Sequence, residues 1–322
     1  RKERLAAEGK STNAAVLHAA DVAERIKALP VDTAAYKTIA DEVALSDWIR
    51  EIYAVGRVAI DLETTGLDNQ QADLVGIALS TNPGNGGYLP LGHKIGDGMF
   101  GSPVDGQLDM RRALELLKPL LEDRSILKIG HNIKFDLGVL YRYGIAVEAI
   151  DDTLLLSYVL DGARFNTLSE LSAHWLGHAG IPIKDLIGSG KNQKTFAEVG
   201  IPEATHYAAE DADLTMRLWT LLKARLPGEN MTALYETEER PLTPVLARME
   251  ARGITVDRQI LSRLSGDFRQ RAAAFEAEAY ELAGETFNLG SPKQLGDILF
   301  GKMGLPGGSK TKTGQWSTGA DV

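Results

Sequence analysis

Asp61 and Glu63 stand in the stretch AIDLETTGLD, where a largely apolar, alternating run otherwise reads as a buried strand. Successive strand side chains point to opposite faces, so these two carboxylates point the same way while Ile60 and Leu62 face the other layer. Like charges held so close repel and raise a pKa unless a cation is near, and a divalent metal is the simplest remedy. The competing explanation is a strand edge with two solvated acids, the usual meaning of an isolated D-x-E. TTGLD turns sharply after the strand, however, and places the acids at a C-terminal strand end, where α/β sheets bind ligands.

Two further groups of residues could join that chemistry. Asp136, in GHNIKFDLGVL, follows a short strand and a polar turn (His131, Asn132) near the start of a helix. Taken alone it is equally explained by the attraction of an acid to a helix N-terminus, worth about 0.3 to 1 kcal/mol. In THYAAEDADLTMRLW, Tyr207 and Asp211 are four apart and share one helix face, a spacing common in ordinary helices. Asp213 points elsewhere and is expected to be a surface or capping acid.

The elements that must position these groups are legible as patterns. VALSDWIREIYAVG reads as a helix, and RVAIDLE, DLVGIALST and GGYLPLGH as strands forming an antiparallel start to a sheet. MRRALELLKPLLED is an amphipathic helix, ILKIGHN a short buried strand, and KFDLGVLYRYG a helix closed by Gly144. Helices follow at DTLLLSYVL, LSELSAHWL and the long PEATHYAAEDADLTMRLWTLLKARL. After LPGEN the chain is helical again and ends in a Gly- and Lys-rich tail. The first thirty or so residues are Ala-rich and polar, with a weak helical pattern around AADVAERIKAL.

Composition bounds the function. The 322 residues are 44% hydrophobic and 25% charged, enough for one full core and more than one domain. No run is long and apolar enough for a membrane span and no secretory leader is legible, so a cytoplasmic protein is expected. With no cysteine, disulfides, thiolate zinc sites and cysteine nucleophiles are excluded. A net charge of -9 argues against a chain that coats nucleic acid by bulk electrostatics. It leaves room for a carboxylate site whose bound cations attract phosphate. A start at Arg1 and an end at STGADV lead to the expectation of a piece of a longer chain.

D-x-E on a strand, N-x-x-x-F-D before a helix and Y-x-x-x-D on a later helix, in that order, resemble the three exonuclease motifs of the DnaQ-like superfamily in its tyrosine-bearing (DEDDy) branch. ALELLKPLLED, GKNQKTF, YAAEDADLT and RPLTPVLARMEARGITVD extend the resemblance to the proofreading domain and early thumb of the bacterial DNA polymerase I family (family A), over nearly everything after Asp32. That resemblance implies an α/β, ribonuclease H-like exonuclease domain, with a central mixed sheet flanked by helices and a helical partial thumb after it. The implied boundaries are a linker over 1–31, the 3′-5′ exonuclease over 32–227 and the start of a polymerase domain over 228–322. Palm and fingers, with the polymerase's own acids, have no counterpart in these residues.

The same resemblance implies two divalent ions, Mg2+ with Mn2+ or Zn2+ as substitutes. Asp61, Glu63 and Asp211 would hold the metal that binds the nucleophilic water, Asp61 would bridge to a second, Asp136 would anchor its water shell, and Tyr207 would orient the attack. His206 is expected to point off the metal face. Thr64, Thr65, Leu67, His131, Asn132 and Phe135 occupy places that grip a frayed single-stranded 3′ end, and Lys310 and Lys312 fall in a thumb tip that tracks duplex phosphates. His131 and Ile183 depart from the family, which carries glutamine at the first place and a stacking aromatic at the second. The expected partner is DNA, with no membrane, for a monomer in a bacterial cytoplasm, nucleoid-associated.

GDGMFG (Gly96 to Gly101) satisfies G-x-G-x-x-G but opens no helix, and GSGKNQ around Lys191 lacks the leading glycine and following hydroxyl of a phosphate loop. Both are expected to be surface loops, with Lys191, Asn192 and Gln193 near a DNA backbone at most. Two alternatives stand beside the proofreading reading: an RNase D-like ribonuclease with the same acids, and a non-catalytic module that braces a polymerase or holds single strands.

Overall fold

The computed structural model describes residues 13–96, 101–162, 164–165, 167–190 and 193–319. Most of the GDGMFG loop, and Lys191 and Asn192, lie outside the described residues. The chain divides into two compact units, the first ending at Gly253 and the second beginning at Ile254.

The first unit is built on a six-stranded mixed sheet. Its strands are β1 (Lys37–Thr38), β2 (Arg57–Thr64), β3 (Leu74–Asn82), β4 (Asn85–Pro90), β7 (Leu127–Gly130) and β8 (Ile150–Asp152), in the order β1-β4-β3-β2-β7-β8. Two short strands, β5 (Lys94–Ile95) and β6 (Ser102–Pro103), pair separately. β2, β3 and β4 are antiparallel neighbours, whereas β7 and β8 run parallel to β2. This is the ribonuclease H-like arrangement, with the antiparallel start that the strand patterns predict.

One face of the sheet packs on α2 (Glu42–Val55), α3 (Met110–Glu122) and α4 (Lys134–Arg142). Val58, Ile60 and Leu62 of β2 join Leu45, Trp48, Ile52, Leu117 and Leu137 in the largest core cluster. The period of two that buries these residues turns Ala59, Asp61 and Glu63 to the other face. There Ala59 meets Ile129 and Met216. That second face is covered by α8 (Ile201–Arg225), a 25-residue helix whose buried Ala204, Ala208, Ala209 and Ala212 let it approach the sheet closely. A Cβ on Gly86 would sit 2.7 Å from the Ala209 carbonyl, so the strand needs glycine where the helix crosses it.

Helix ends follow local rules. Asp41 caps α2 through the Ala44 N–H and Gly56 closes it in the left-handed region, while Asp152 caps α5 (Thr153–Asp161). Thr167 and Glu170 form a capping box on α6 (Leu168–Trp175), and α7 (Ile183–Ile187) is a short helix. Within the stretch expected as a linker, α1 (Ala14–Ala28) buries Val22 and Ile26 and packs on α8. A π-helical stretch, Tyr235–Glu239, leads directly into α9 (Arg240–Arg252), which packs along α4.

The second unit contains α10 (Arg258–Ala283), capped by Asp257, and the short α11 (Pro292–Gly296), capped by Ser291. Near its end an antiparallel bridge joins Lys310 to Trp316.

Candidate active site

β2 and α8 bring the central acids together. One ligand oxygen from each of Asp61, Glu63 and Asp211 lies within 4.8 Å of the others. Asp136, buried at the start of α4, accepts the Leu62 N–H at 3.2 Å and so stands against the backbone between Asp61 and Glu63. A register shift between Glu63 and Thr64 bends β2 where the acids end, as bulges beside sites do. Tyr207 sits one helical turn before Asp211, and burial first and then the Asp211 charge push its hydroxyl well above the usual tyrosine range.

The electrostatics of this group call for a cation. Burial, the largest cause, pushes the Asp61 carboxyl up to about 7. Glu63 is raised well above the usual range by burial first and then by the charges of Asp61, Asp211 and Asp136. Asp136 and Asp211 are raised in the same way, by burial and then by Asp61. Among the described residues no Lys or Arg forms a salt bridge with any of the four. Oxygen-only ligands, two of them buried (Glu63, Asp136) and two half-buried (Asp61, Asp211), that repel one another fit a hard divalent ion such as magnesium.

The supporting contacts were not visible as motifs. Tyr88 of β4 lies across Gly76, where a Cβ would come within 2.1 Å of its hydroxyl, and Gly76 is the register partner of Glu63. The Tyr88 hydroxyl and His93 Nε2 are 2.8 Å apart, and His93 Nδ1 is 2.9 Å from the Val199 carbonyl. A carbonyl only accepts, so Nδ1 carries the proton and Tyr88 donates to Nε2. This buried chain ties the strand behind Glu63 to the segment that enters α8.

Asp152 performs a similar task for the neighbouring turn. Its carboxylate accepts from the Asn132 and Ile133 N–H groups, each at 3.0 Å, as well as from Leu154 in capping α5. It thereby holds Asn132 in the left-handed conformation, at φ 58°. The Asp-Thr pair ahead of the apolar run LLLSYVL was the available signal, since it marks a helix start. Asp213 corrects the sequence reading. It is fully buried, accepts from the Tyr36 hydroxyl at 2.8 Å and the Gly84 N–H at 2.7 Å, and pairs with buried Arg217 at 3.0 Å. It is a core acid and not a surface or capping one, because its turn of α8 faces both β4 and the segment after α1.

The residues expected to grip a strand divide into three groups. Leu67, Asn132 and Phe135 line one open cleft of about 450 Å3, together with Asp68, Asn69 and Lys134, and Leu67 is 97% exposed at its lip. Thr64 and Thr65 serve the turn: the Thr64 hydroxyl donates to the Gly66 carbonyl, and Thr65 Oγ1 accepts from the Asp73 N–H. His131 Nδ1 lies 2.9 Å from Thr153 Oγ1. His206 Nδ1 lies 2.9 Å from the Thr33 carbonyl, and the residue is exposed. Ile183 is exposed at the start of α7. Lys310 and Lys312 are in the second unit, where the Lys310 ammonium lies 4.4 Å from the centre of the Trp316 ring. Lys134 was not singled out from sequence, because a lone lysine at a helix start carries no motif.

Residues 36–227, spanning every acid of this site, match the family model described as 3′-5′ exonuclease. The chain belongs to that exonuclease family. Residues 258–322 match the model of DNA polymerase family A. A curated relative named DNA polymerase I, from Rhizobium leguminosarum, is 57% identical over 93% of this chain and 31% of its own length. The chain thus spans about a third of the length of such relatives. The Pol domain of Pol1 from M. smegmatis, solved in complex with DNA primer-template and dNTP, superposes with a TM-score of 0.69 at 24% identity, over 88% of this chain and 44% of that one. NrnC from Brucella melitensis superposes at 0.50 and 24% identity, over 68% of this chain and 93% of that one. Both structural likenesses concern the fold.

Proposed function

We propose that this chain removes nucleotides from the 3′ end of DNA by metal-dependent hydrolysis, as the editing part of a DNA polymerase I. The observation that carries the reading is the convergence of Asp61, Glu63 and Asp211, with Asp136 beside them, in a half-buried to buried cluster that makes no salt bridge to a Lys or Arg among the described residues. Asp61, Glu63 and Asp211 would hold one divalent ion, and Asp61 with Asp136 a second. Bound there, such ions supply an activated water and neutralise charge at the scissile phosphate and its leaving oxygen. Tyr207, held beside Asp211, orients the attacking water through its hydroxyl. Leu67 wedges at the lip of the cleft, while Asn132 and Phe135 contact the terminal nucleotides. The bond broken is the last phosphodiester, releasing a nucleoside 5′-monophosphate and a 3′-hydroxyl end. In the second unit Lys310 and Lys312 contact duplex phosphates.

The test is hydrolysis of a 5′-labelled single strand with Mg2+ or Mn2+, beside EDTA and Asp61→Ala controls, with an RNA strand of the same sequence in parallel. A ladder shortening from the 3′ end of DNA, lost in both controls, is expected. Preference for the RNA strand would favour a ribonuclease, and retained strand binding without shortening would favour a non-catalytic module.

A further inference from the structure

Any single strand in the cleft beside Leu67 brings one negative charge per nucleotide into an unfavourable field. Asp68 lines the cleft, Asp136 lies on the helix that forms one of its walls, and the whole chain carries a charge of -9. Among the described cleft residues Lys134 alone is cationic. It is the first residue of α4, two positions before Asp136. Its ammonium, however, is engaged in an ion pair with Glu250 on α9. α9 is held in place by packing: Thr243 is buried and Ala247 rests against the main core cluster. Lys134 also lines a smaller cavity of about 110 Å3 with Asn132, Asp152 and Leu246, where the Asn132 turn, α4 and α9 meet.

We infer that Lys134 is a phosphate-binding residue of this cleft and that Glu250 is its competing counter-ion, exchanged when a nucleic-acid phosphate arrives; this rests on the exonuclease reading above. The two side chains are 34% and 44% exposed. Ion pairs this exposed are weak and screened by salt, so an incoming phosphate can displace the carboxylate. The flexible four-carbon stem of lysine lets its ammonium move from one partner to the other with no change in α4. The competition lowers the apparent affinity for single strands. It also gives α9 an electrostatic hold on the site.

The test is a double-mutant cycle on steady-state hydrolysis of a single-stranded DNA by the full chain. Lys134→Gln is expected to raise KM roughly threefold to tenfold and to reduce the slope of log KM against log salt by about 0.7, the value for one lost phosphate contact on a single strand. Glu250→Gln is expected to lower KM about twofold to threefold in the wild-type background and to have no effect on KM beside Lys134→Gln. A Glu250→Gln effect that persists in the Lys134→Gln background would mean general repulsion of DNA and overturn the exchange. An unchanged KM and salt slope in Lys134→Gln would overturn the phosphate contact. If the wild-type chain itself fails to shorten DNA with metal, the exonuclease reading fails first, and an active wild type with silent variants rejects this inference alone.

Discussion

Asp61 is the residue whose chemistry is most changed by folding. Its carboxyl, ordinarily near 3.8, titrates at about 7 in the fold because burial disfavours the charge. The folded protein therefore keeps a proton that the unfolded chain releases between those values. Stability from this group is complete below about pH 4 and is lost as pH rises through 7. In EDTA, Asp61→Asn is expected to gain on the wild type by up to roughly 4 kcal/mol between pH 4 and pH 8. Saturating Mg2+ should shrink that gain, because the ion stabilises the ionised wild-type cluster; denaturant titrations of both proteins read the difference. Tyr207→Phe keeps the ring and removes the hydroxyl. Its expected effect is a kcat roughly 10- to 100-fold lower with KM little changed, since the hydroxyl is assigned to the attacking water.

At the scale of elements, β2 and α8 make the site, and what holds them in register is a set of buried polar contacts. Asp213 and Arg217 lie on the same helix as Asp211 and tie it to the turn between β3 and β4, through the Gly84 N–H, and to the chain after α1, through the Leu29 and Pro30 carbonyls. Asp213→Ala would leave the Arg217 guanidinium buried without its counter-ion. A loss of about 3 to 5 kcal/mol is expected from thermal or denaturant unfolding. Magnesium binding per folded molecule should be retained, because Asp213 is outside the carboxylate cluster. That contrast separates an acid that supports α8 from the acids that meet at the proposed metal site, although both kinds occur within three positions.

At the scale of the whole molecule, the division after Gly253 places α9 with the exonuclease unit. α9 packs on α4, which carries Asp136, and the π-helical stretch before it sends the Tyr235 hydroxyl to accept the Asp152 N–H at 2.9 Å and to donate to Asp151 at 3.1 Å. A chain ending at Gly253 is therefore expected to fold and to keep metal-dependent hydrolysis of single strands within about threefold. One ending at Arg225, before Tyr235, would expose the face that α9 covers and leave the Asp152 N–H without its partner, at a cost of about 1 to 3 kcal/mol for that group alone. Circular dichroism melts and the hydrolysis assay on the two truncations give the comparison.

Alternation in RVAIDLE determined that Asp61 and Glu63 would share a face, and the four-residue step from Tyr207 to Asp211 determined that these would be helix neighbours. These are local consequences of periods of 2 and 3.6, so they are legible in a single chain. The antiparallel start of the sheet and the helix ends at Gly56 and Gly144 were legible for the same reason. The meeting of β2 with α8 was not, because strand register and helix docking depend on residues far apart in the chain: Gly76 and Gly86 open the space, and Tyr88 fills part of it. The same distance hid Asp213, which has the look of a surface acid beside Asp211 until Tyr36, Gly84 and Arg217 are brought around it. It hid Lys134 as well, whose significance comes from a cleft and from a carboxylate 116 positions away. Local periodicity thus determined which side chains were available for chemistry, and tertiary packing decided which of them meet, because burial and charge coupling act through space.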